Sequence, residues 1–148
     1  MLKIIGRNLS LLSYLMLLLV ACSSATPATA PTDDAPLLGD PQRGASLFAQ
    51  PLIGEANATG CRNCHAIEEN IILIGPPLVE IRRRITQLEQ NGLLNAETPT
   101  VRDYLYQAIT DPQAVVIGDY PQLMYARFGD ILSEQEIADL IAYIESSE

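Results

Sequence analysis

The chain has 148 residues, with 18 acidic and 9 basic side chains and a formal net charge of −9. This length suits a single domain. The acidic balance argues against a nucleic-acid partner, because binding to a phosphate backbone depends on clustered lysine and arginine. Cysteine occurs 3 times and histidine once, so any chemistry of thiols or imidazole rests on very few positions.

The N-terminus predicts an export signal. Lys3 and Arg7 precede an apolar run over residues 9–20, which at about twelve residues is shorter than the roughly twenty of a membrane span. The run ends in a Leu-Val-Ala-Cys tetrapeptide that resembles the lipobox of bacterial lipoproteins, in which the chain is cut before the cysteine. We therefore expect residues 1–21 to be a lipoprotein signal peptide and Cys22 to carry lipid. An uncleaved anchor helix with an incidental cysteine is the alternative.

Both interpretations place the rest of the chain at the extracytoplasmic face of a bacterial membrane, either periplasmic or outer. Residues 22–38 contain recurrent proline and no apolar periodicity. Such a segment stays extended at about 3.1 Å per residue and would act as a flexible tether. The remaining residues, 39–148, are expected to form one folded domain.

Helix signals at both ends of this domain predict an all-α fold. Asp40 followed by Pro41 is typical of a helix start, and Ser133 with Glu136 forms a capping box. An apolar stripe with i, i+3, i+4 and i+7 spacing follows that box, and no run alternates as a strand. The predicted helices are residues 41–50, 79–90, 102–110 and the segment after Ser133, and the expected loops are residues 50–60, 66–78 and 110–130.

The pattern C-x-x-C-H, formed by Cys61, Cys64 and His65, predicts covalent haem attachment. Each thiol can add to one haem vinyl group, and the adjacent imidazole can reach the iron. The alternatives are a chance match, a zinc site or a redox dithiol. Zinc needs about four protein ligands and no further soft ligand follows nearby, and a thioredoxin-like motif belongs to an alternating β/α chain. With Cys22 assigned to lipid, no thiol remains for a disulfide.

Residues 39–148 resemble a class I c-type cytochrome. The resemblance implies a small cytochrome c fold, in which N- and C-terminal helices cross around one covalent haem c and a glycine permits their close approach. It also implies that the carbonyl of Pro76 accepts the Nδ1 proton of His65 and so orients the imidazole. The residues that carry the resemblance, besides the haem motif, are Gly44, Phe48, Gly75, Pro76, Pro77, Leu78, Leu140 and Tyr143.

Met124 is the predicted second axial ligand of the iron. There is no second histidine, the mature chain has no lysine, and Met1 and Met16 leave with the signal. Met124 also lies in the loop before the final helix, where the family places its methionine. The family often follows that methionine with proline, whereas Tyr125 follows here. Tyr120 or Tyr125 is the alternative ligand.

Ligands on both faces of the iron leave no open site, so we expect one-electron transfer rather than enzymatic catalysis. The leading hypothesis is a mobile, membrane-anchored carrier in a respiratory or photosynthetic chain. The alternative is a fixed haem subunit of a larger quinol-oxidising or oxidase complex, like the monohaem lipoprotein subunit of alternative complex III. A gas sensor or peroxidase is a third hypothesis, for the case that Met124 dissociates.

The net charge of the chain indicates what kind of partner it suits. Removal of Lys3 and Arg7 changes the net charge from −9 to −11. Such an acidic carrier suits a redox partner with a basic docking face, although the same charge also serves solubility. The one basic cluster, residues 82–84, can be a solvated helix face, a partner for a haem propionate, or a contact for an acidic protein.

Overall fold

In a computed structural model of the chain, the residues described are 37–115 and 119–148. The predicted signal peptide, Cys22 and most of the tether therefore lie outside the described residues. Within the described ranges, no helix is long and apolar enough to cross a membrane. The elements in chain order are α1 (Pro41–Phe48), β1 (Leu52–Ile53), β2 (Ala58–Thr59), a 3₁₀ turn (Cys61–Asn63), α2 (Leu78–Gln90), α3 (Val101–Thr110), α4 (Phe128–Ile131) and α5 (Glu134–Ser146).

This mostly helical architecture confirms the predicted all-α class. The expectation that residues 50–60 contain no strand is wrong, because β1 and β2 pair antiparallel, with Leu52 opposite Thr59. Strands of two residues are too short to show an alternating pattern. The turn between them uses left-handed backbone at Gly54 and Asn57, with φ of 65° and 48°. One helical turn, α4, likewise begins inside the loop expected over residues 110–130 and ends one residue beyond it.

Local sequence signals account for both terminal helices. The side chain of Asp40 accepts hydrogen bonds from the backbone N–H groups of Gln42 and Arg43, at 2.8 and 3.2 Å. Proline at the first position of α1 has no N–H to satisfy there. At α5 both halves of the predicted capping box are present. These caps satisfy donors that a helix N-terminus otherwise leaves without partners.

Helices α1 and α5 cross in close contact. A Cβ atom at Gly44 would lie 2.0 Å from the carbonyl O of Asp139, so only glycine fits this position. The rings of Phe48 and Tyr143 pack beside the crossing, with centroids 5.5 Å apart. The predicted apolar stripe of α5 is buried beneath them and comprises Ile137, Leu140, Ile141 and Ile144.

A buried carboxylate holds the same crossing together. Asp139 accepts hydrogen bonds from the backbone N–H of Asp40 at 2.7 Å, from Nε of Arg43 at 2.7 Å and from the amide of Gln135 at 2.8 Å. These donors hold the pKa of the Asp139 carboxyl well below its usual range, with the Arg43 hydrogen bond as the largest cause. The ionised carboxylate thus joins the start of α1 to the middle of α5.

The chain is already bonded to the domain before α1 begins. The carbonyl of Leu37 accepts a hydrogen bond from the guanidinium of Arg102 at 2.9 Å, and that of Leu38 accepts one from the side chain of Gln135 at 3.0 Å. The predicted boundary between tether and domain, at residues 38 and 39, falls within this bonded stretch.

We expect Asp139→Asn to destabilise the haem-loaded protein by about 1–3 kcal/mol, because it removes the charge that organises three donors. The carboxylate contributes fully above the pKa of an unfolded aspartate, about 3.9, and loses its contribution as pH falls below that value. Urea unfolding between about pH 2 and 7 should therefore show a smaller acid-induced loss of stability in the variant than in the wild type.

Asp130→Asn is the matched control, since Asp130 also lies 2.7 Å from an arginine Nε, that of Arg127, but on the exposed surface. An exposed pair of this kind contributes at most about 1 kcal/mol. Equal losses from the two substitutions would show that the Asp139 network does not stabilise the crossing.

Candidate haem-binding site

A cavity of about 350 Å³ is lined by Cys61, Cys64, His65 and Met124, among other residues. The structure thus brings together the residues that the sequence predicted to bind haem and iron. All five helices contribute side chains to the remaining wall, and loop residues form the larger part of it. The buried apolar members of this wall are Phe48, Leu105, Ile109, Phe128, Leu132, Leu140 and Ile144.

The haem motif is held in a tight turn. The backbone N–H groups of Cys64 and His65 both donate to the carbonyl of Cys61, at 3.1 and 2.9 Å. The side chain of Asn63 points away from this turn and donates to the carbonyl of Pro51 at 2.8 Å. The residue that directly precedes β1 is thus bonded to the motif. Cys61, Cys64 and His65 all line the cavity.

A second loop fixes the imidazole. The N–H of Gly75 donates to the carbonyl of Cys64 at 2.8 Å, which aligns the two loops. The carbonyl O of Pro76 then lies 2.9 Å from Nδ1 of His65, the contact that the family resemblance implies. A carbonyl can only accept, so Nδ1 carries the proton and Nε2 keeps the lone pair that can bind iron.

Gly75 is a functional position that the sequence reasoning did not single out by itself. A Cβ atom there would lie 2.5 Å from Cε1 of His65, so the backbone of Gly75 packs directly on the imidazole ring. No local sequence signal predicts this contact, since a glycine before two prolines is typical of an ordinary turn.

Burial sets the protonation of the motif. It lowers the pKa of His65, while the hydrogen bond to Pro76 opposes that shift, so the neutral imidazole that coordinates metals is favoured. It raises the pKa of the Cys61 thiol to about 11. A redox dithiol reacts as thiolate, so this shift disfavours that alternative for the motif.

The loop that bears Met124 is held by aromatic packing. Met124 is partly buried against the core, and the ring of Tyr125 meets that of Phe128 edge-on, with centroids 5.2 Å apart. Such pairs contribute about 0.5–1.5 kcal/mol beyond the area they bury. Tyr125 therefore restrains the loop at the position where the family often has proline. Tyr120 and Tyr125, the alternative ligands, also line the cavity.

The three arginines of residues 82–84 have different surroundings. Arg83 pairs with Glu69. Nε of Arg82 is buried with no hydrogen-bond partner among the described residues. Arg84 lies near Tyr104, whose pKa burial raises to about 12 while the positive charge of Arg84 opposes the shift. Arg83 and Arg84 are therefore exposed on the helix surface, whereas part of Arg82 is buried.

The residues present fit a covalent haem. An apolar wall suits the porphyrin, and two thiols lie beside a histidine whose free lone pair is on Nε2. A thioether lines the same space. Cys61 and Cys64 would hold the macrocycle covalently, and His65 and Met124 are the available axial donors.

We expect Gly75→Ala to displace His65, because the added methyl group overlaps the imidazole ring. The substitution should destabilise the haem-loaded protein by about 1–3 kcal/mol and should produce a high-spin component in its ferric optical spectrum. Gly92→Ala is the control, since Gly92 has nothing within 4 Å. Gly92→Ala should change the free energy of unfolding only through the backbone conformation of that residue, and it should leave the ferric spectrum unchanged. An unchanged spectrum for Gly75→Ala would contradict the positioning role.

Comparison with known proteins agrees with this geometry. The family model described as Cytochrome c matches residues 41–148. A search among curated proteins finds no match for this chain. Because the family match covers most of the chain, including the haem motif and both crossing helices, this protein belongs to the cytochrome c family, whose members transfer electrons through covalently bound haem c.

Proposed function

We propose that this protein is a membrane-anchored carrier of single electrons, with one haem c whose iron is bound by His65 and Met124. The observation that supports it is the cavity, which both thiols of the motif line together with the two predicted ligands. A single C-x-x-C-H motif in the sequence supports the count of one haem.

The proposed ligands define the chemistry. When bound, the haem supplies an iron centre that accepts and releases one electron. The thioether of Met124 favours the reduced iron and so raises the reduction potential. Pro76 and Gly75 hold His65 in one orientation, so little rearrangement of this residue would accompany electron transfer. If His65 and Met124 both bound the iron, it would have no place for a substrate, and we propose no enzymatic activity.

Location follows from the N-terminal sequence. The lipobox-like tetrapeptide ending at Cys22 supports cleavage and acylation at that residue, which would anchor the protein at the extracytoplasmic face of a bacterial membrane. A dual or triple acyl anchor is stable because each buried methylene contributes about 0.8 kcal/mol. The proline-containing tether supports a mobile carrier that reaches donor and acceptor proteins along that surface.

Met124→Ala should lower the reduction potential and open the ferrous iron to carbon monoxide, because it removes the proposed sixth ligand. Optical titration measures both effects, and the ferric methionine–iron charge-transfer band should disappear. Tyr120→Phe and Tyr125→Phe are the controls, since they remove the alternative ligands from the same cavity. Unchanged potential and gas binding in Met124→Ala would refute the assignment.

Cys22→Ser should abolish lipid attachment. Growth with radiolabelled palmitate should label the wild type and leave the variant unlabelled, and the wild type alone should have a mature N-terminus at residue 22. Label that persists in the variant would place the anchor elsewhere in the chain.

A further inference from the structure

One backbone carbonyl holds both ends of the 3₁₀ turn that begins the haem motif. The backbone N–H of Gly60, which directly precedes the turn, donates to the carbonyl O of Pro51 at 2.9 Å. The side-chain amide of Asn63, the last residue of the turn, donates to the same oxygen at 2.8 Å. A carbonyl oxygen has two lone pairs, so these two donors use its full capacity. We call this pair of hydrogen bonds the Pro51 clamp.

The Pro51 clamp joins the haem motif to the end of α1. Pro51 follows closely after Phe48, the last residue of α1, and the N–H of Gln50 still donates to the carbonyl of Leu47 at 3.1 Å. A Cβ atom at Gly60 would overlap the carbonyl O of Gln50, so the chain before the turn lies directly against this segment. Because α1 also crosses α5 in close contact, the clamp relates the position of the motif to both terminal helices.

The hydrogen bonds of the turn continue from Asn63 to His65. The backbone N–H of Asn63 donates to the carbonyl of Gly60 at 3.1 Å. The N–H groups of Cys64 and His65 both donate to the carbonyl of Cys61, at 3.1 and 2.9 Å. Asn63 therefore lies in one short bonded segment with the thiols that would bind the haem and the imidazole that would bind its iron. A displacement of Asn63 would be transmitted to that imidazole.

The side chain of Asn63 acts on the site only through the turn. It is exposed, and neither Asn63 nor Pro51 lines the haem cavity. Replacing this side chain therefore removes no packing against the porphyrin and changes no wall of the cavity. Any effect of the replacement on the haem would come from the loss of the bond to Pro51.

We propose that Asn63 is a positioning residue of the redox site, whose amide fixes the haem motif to the end of α1 and so sets the orientation in which His65 faces the iron. This inference rests on the proposed ligation of the iron by His65. Pro76 restrains the ring of His65 through Nδ1, whereas the Pro51 clamp restrains its backbone. Together the two restraints would define both the place and the plane of the imidazole.

The test compares Asn63→Leu with Asn91→Leu in the haem-loaded, full-length protein. Both substitutions are neutral, and each removes one hydrogen bond from an exposed side-chain amide to a backbone carbonyl, since Asn91 donates to the carbonyl of Gln87 at 2.6 Å. Asn91 lies at the end of α2 and outside the haem cavity. Asn91→Leu is therefore the matched control. Asn63→Ala and Asn91→Ala form a second pair, for the case that leucine at position 63 prevents haem attachment.

The first measurement is the proton NMR spectrum of the ferric protein. The unpaired electron of low-spin ferric iron makes the shifts of the haem methyl groups depend on the plane of the axial imidazole. We expect Asn63→Leu to change the pattern of these shifts and Asn91→Leu to leave the wild-type pattern. An unchanged pattern in Asn63→Leu, or the same change in both variants, would overturn the positioning role.

The second measurement is hydrogen exchange in the ferrous protein. The backbone N–H groups of Cys64 and His65 should exchange about fivefold faster in Asn63→Leu, because the clamp keeps only one of its two bonds. They should exchange at the wild-type rate in Asn91→Leu. Faster exchange with unchanged methyl shifts would mean that Asn63 stabilises the turn without orienting His65, which also overturns the proposal.

The wild-type protein separates this inference from the function on which it rests. Its ferric NMR spectrum should contain the shifted ring protons of an imidazole bound to low-spin iron. A wild-type spectrum without them would refute the ligation by His65 itself, and the role of Asn63 with it. A normal wild-type spectrum with no effect of Asn63→Leu would refute the role of Asn63 alone.

Discussion

The close crossing of α1 and α5 is the contact on which the rest of the fold depends. Asp139 contributes to this crossing with both its backbone and its side chain. Its carbonyl O lies 2.0 Å from where a Cβ of residue 44 would be, and its side chain binds the start of α1 through Asp40 and Arg43. Glycine sets how near the helices come, and the carboxylate sets where along their length they meet. The Asp139 carboxylate can stay charged in this buried position because its hydrogen-bond donors replace the water that it loses on folding.

The crossing also determines the shape of the cavity. With α1 and α5 in contact, Phe48 of α1 and Leu140 and Ile144 of α5 all line the cavity wall. The loops on either side have little regular structure and are held by a few specific contacts, notably those of Gly75 with Cys64 and of Tyr125 with Phe128. Small domains bury a modest fraction of their surface, so two covalent bonds from Cys61 and Cys64 to the haem would add a constraint to the limited core of this chain.

Signals confined to a few neighbouring residues made much of this fold predictable. The haem motif, the caps of α1 and α5 and the stripe on α5 each span less than three helical turns. The terminal helices that these caps predict are present, as are the two further helices expected between them. The Pro76 contact and the close approach at Gly44 came only from resemblance to a family. Contacts between distant residues had no local signal: Arg43 and Asp139 are 96 residues apart in the chain. The hairpin was missed because its strands contain two residues each, too few for any periodicity.

Two surface properties of this chain act over different ranges in the proposed function. Net negative charge acts over about a Debye length, roughly 8 Å at physiological salt, and can bring a basic partner into orientation before contact. Aliphatic side chains act only on contact, and exposed Ile74 and Leu123 line the same cavity as the proposed ligands. Electrostatic attraction that salt screens raises the association rate but does little to lengthen the lifetime of the complex. A small apolar contact then holds the haem near the partner for one electron transfer and releases it, which is the balance that a carrier between two partners requires.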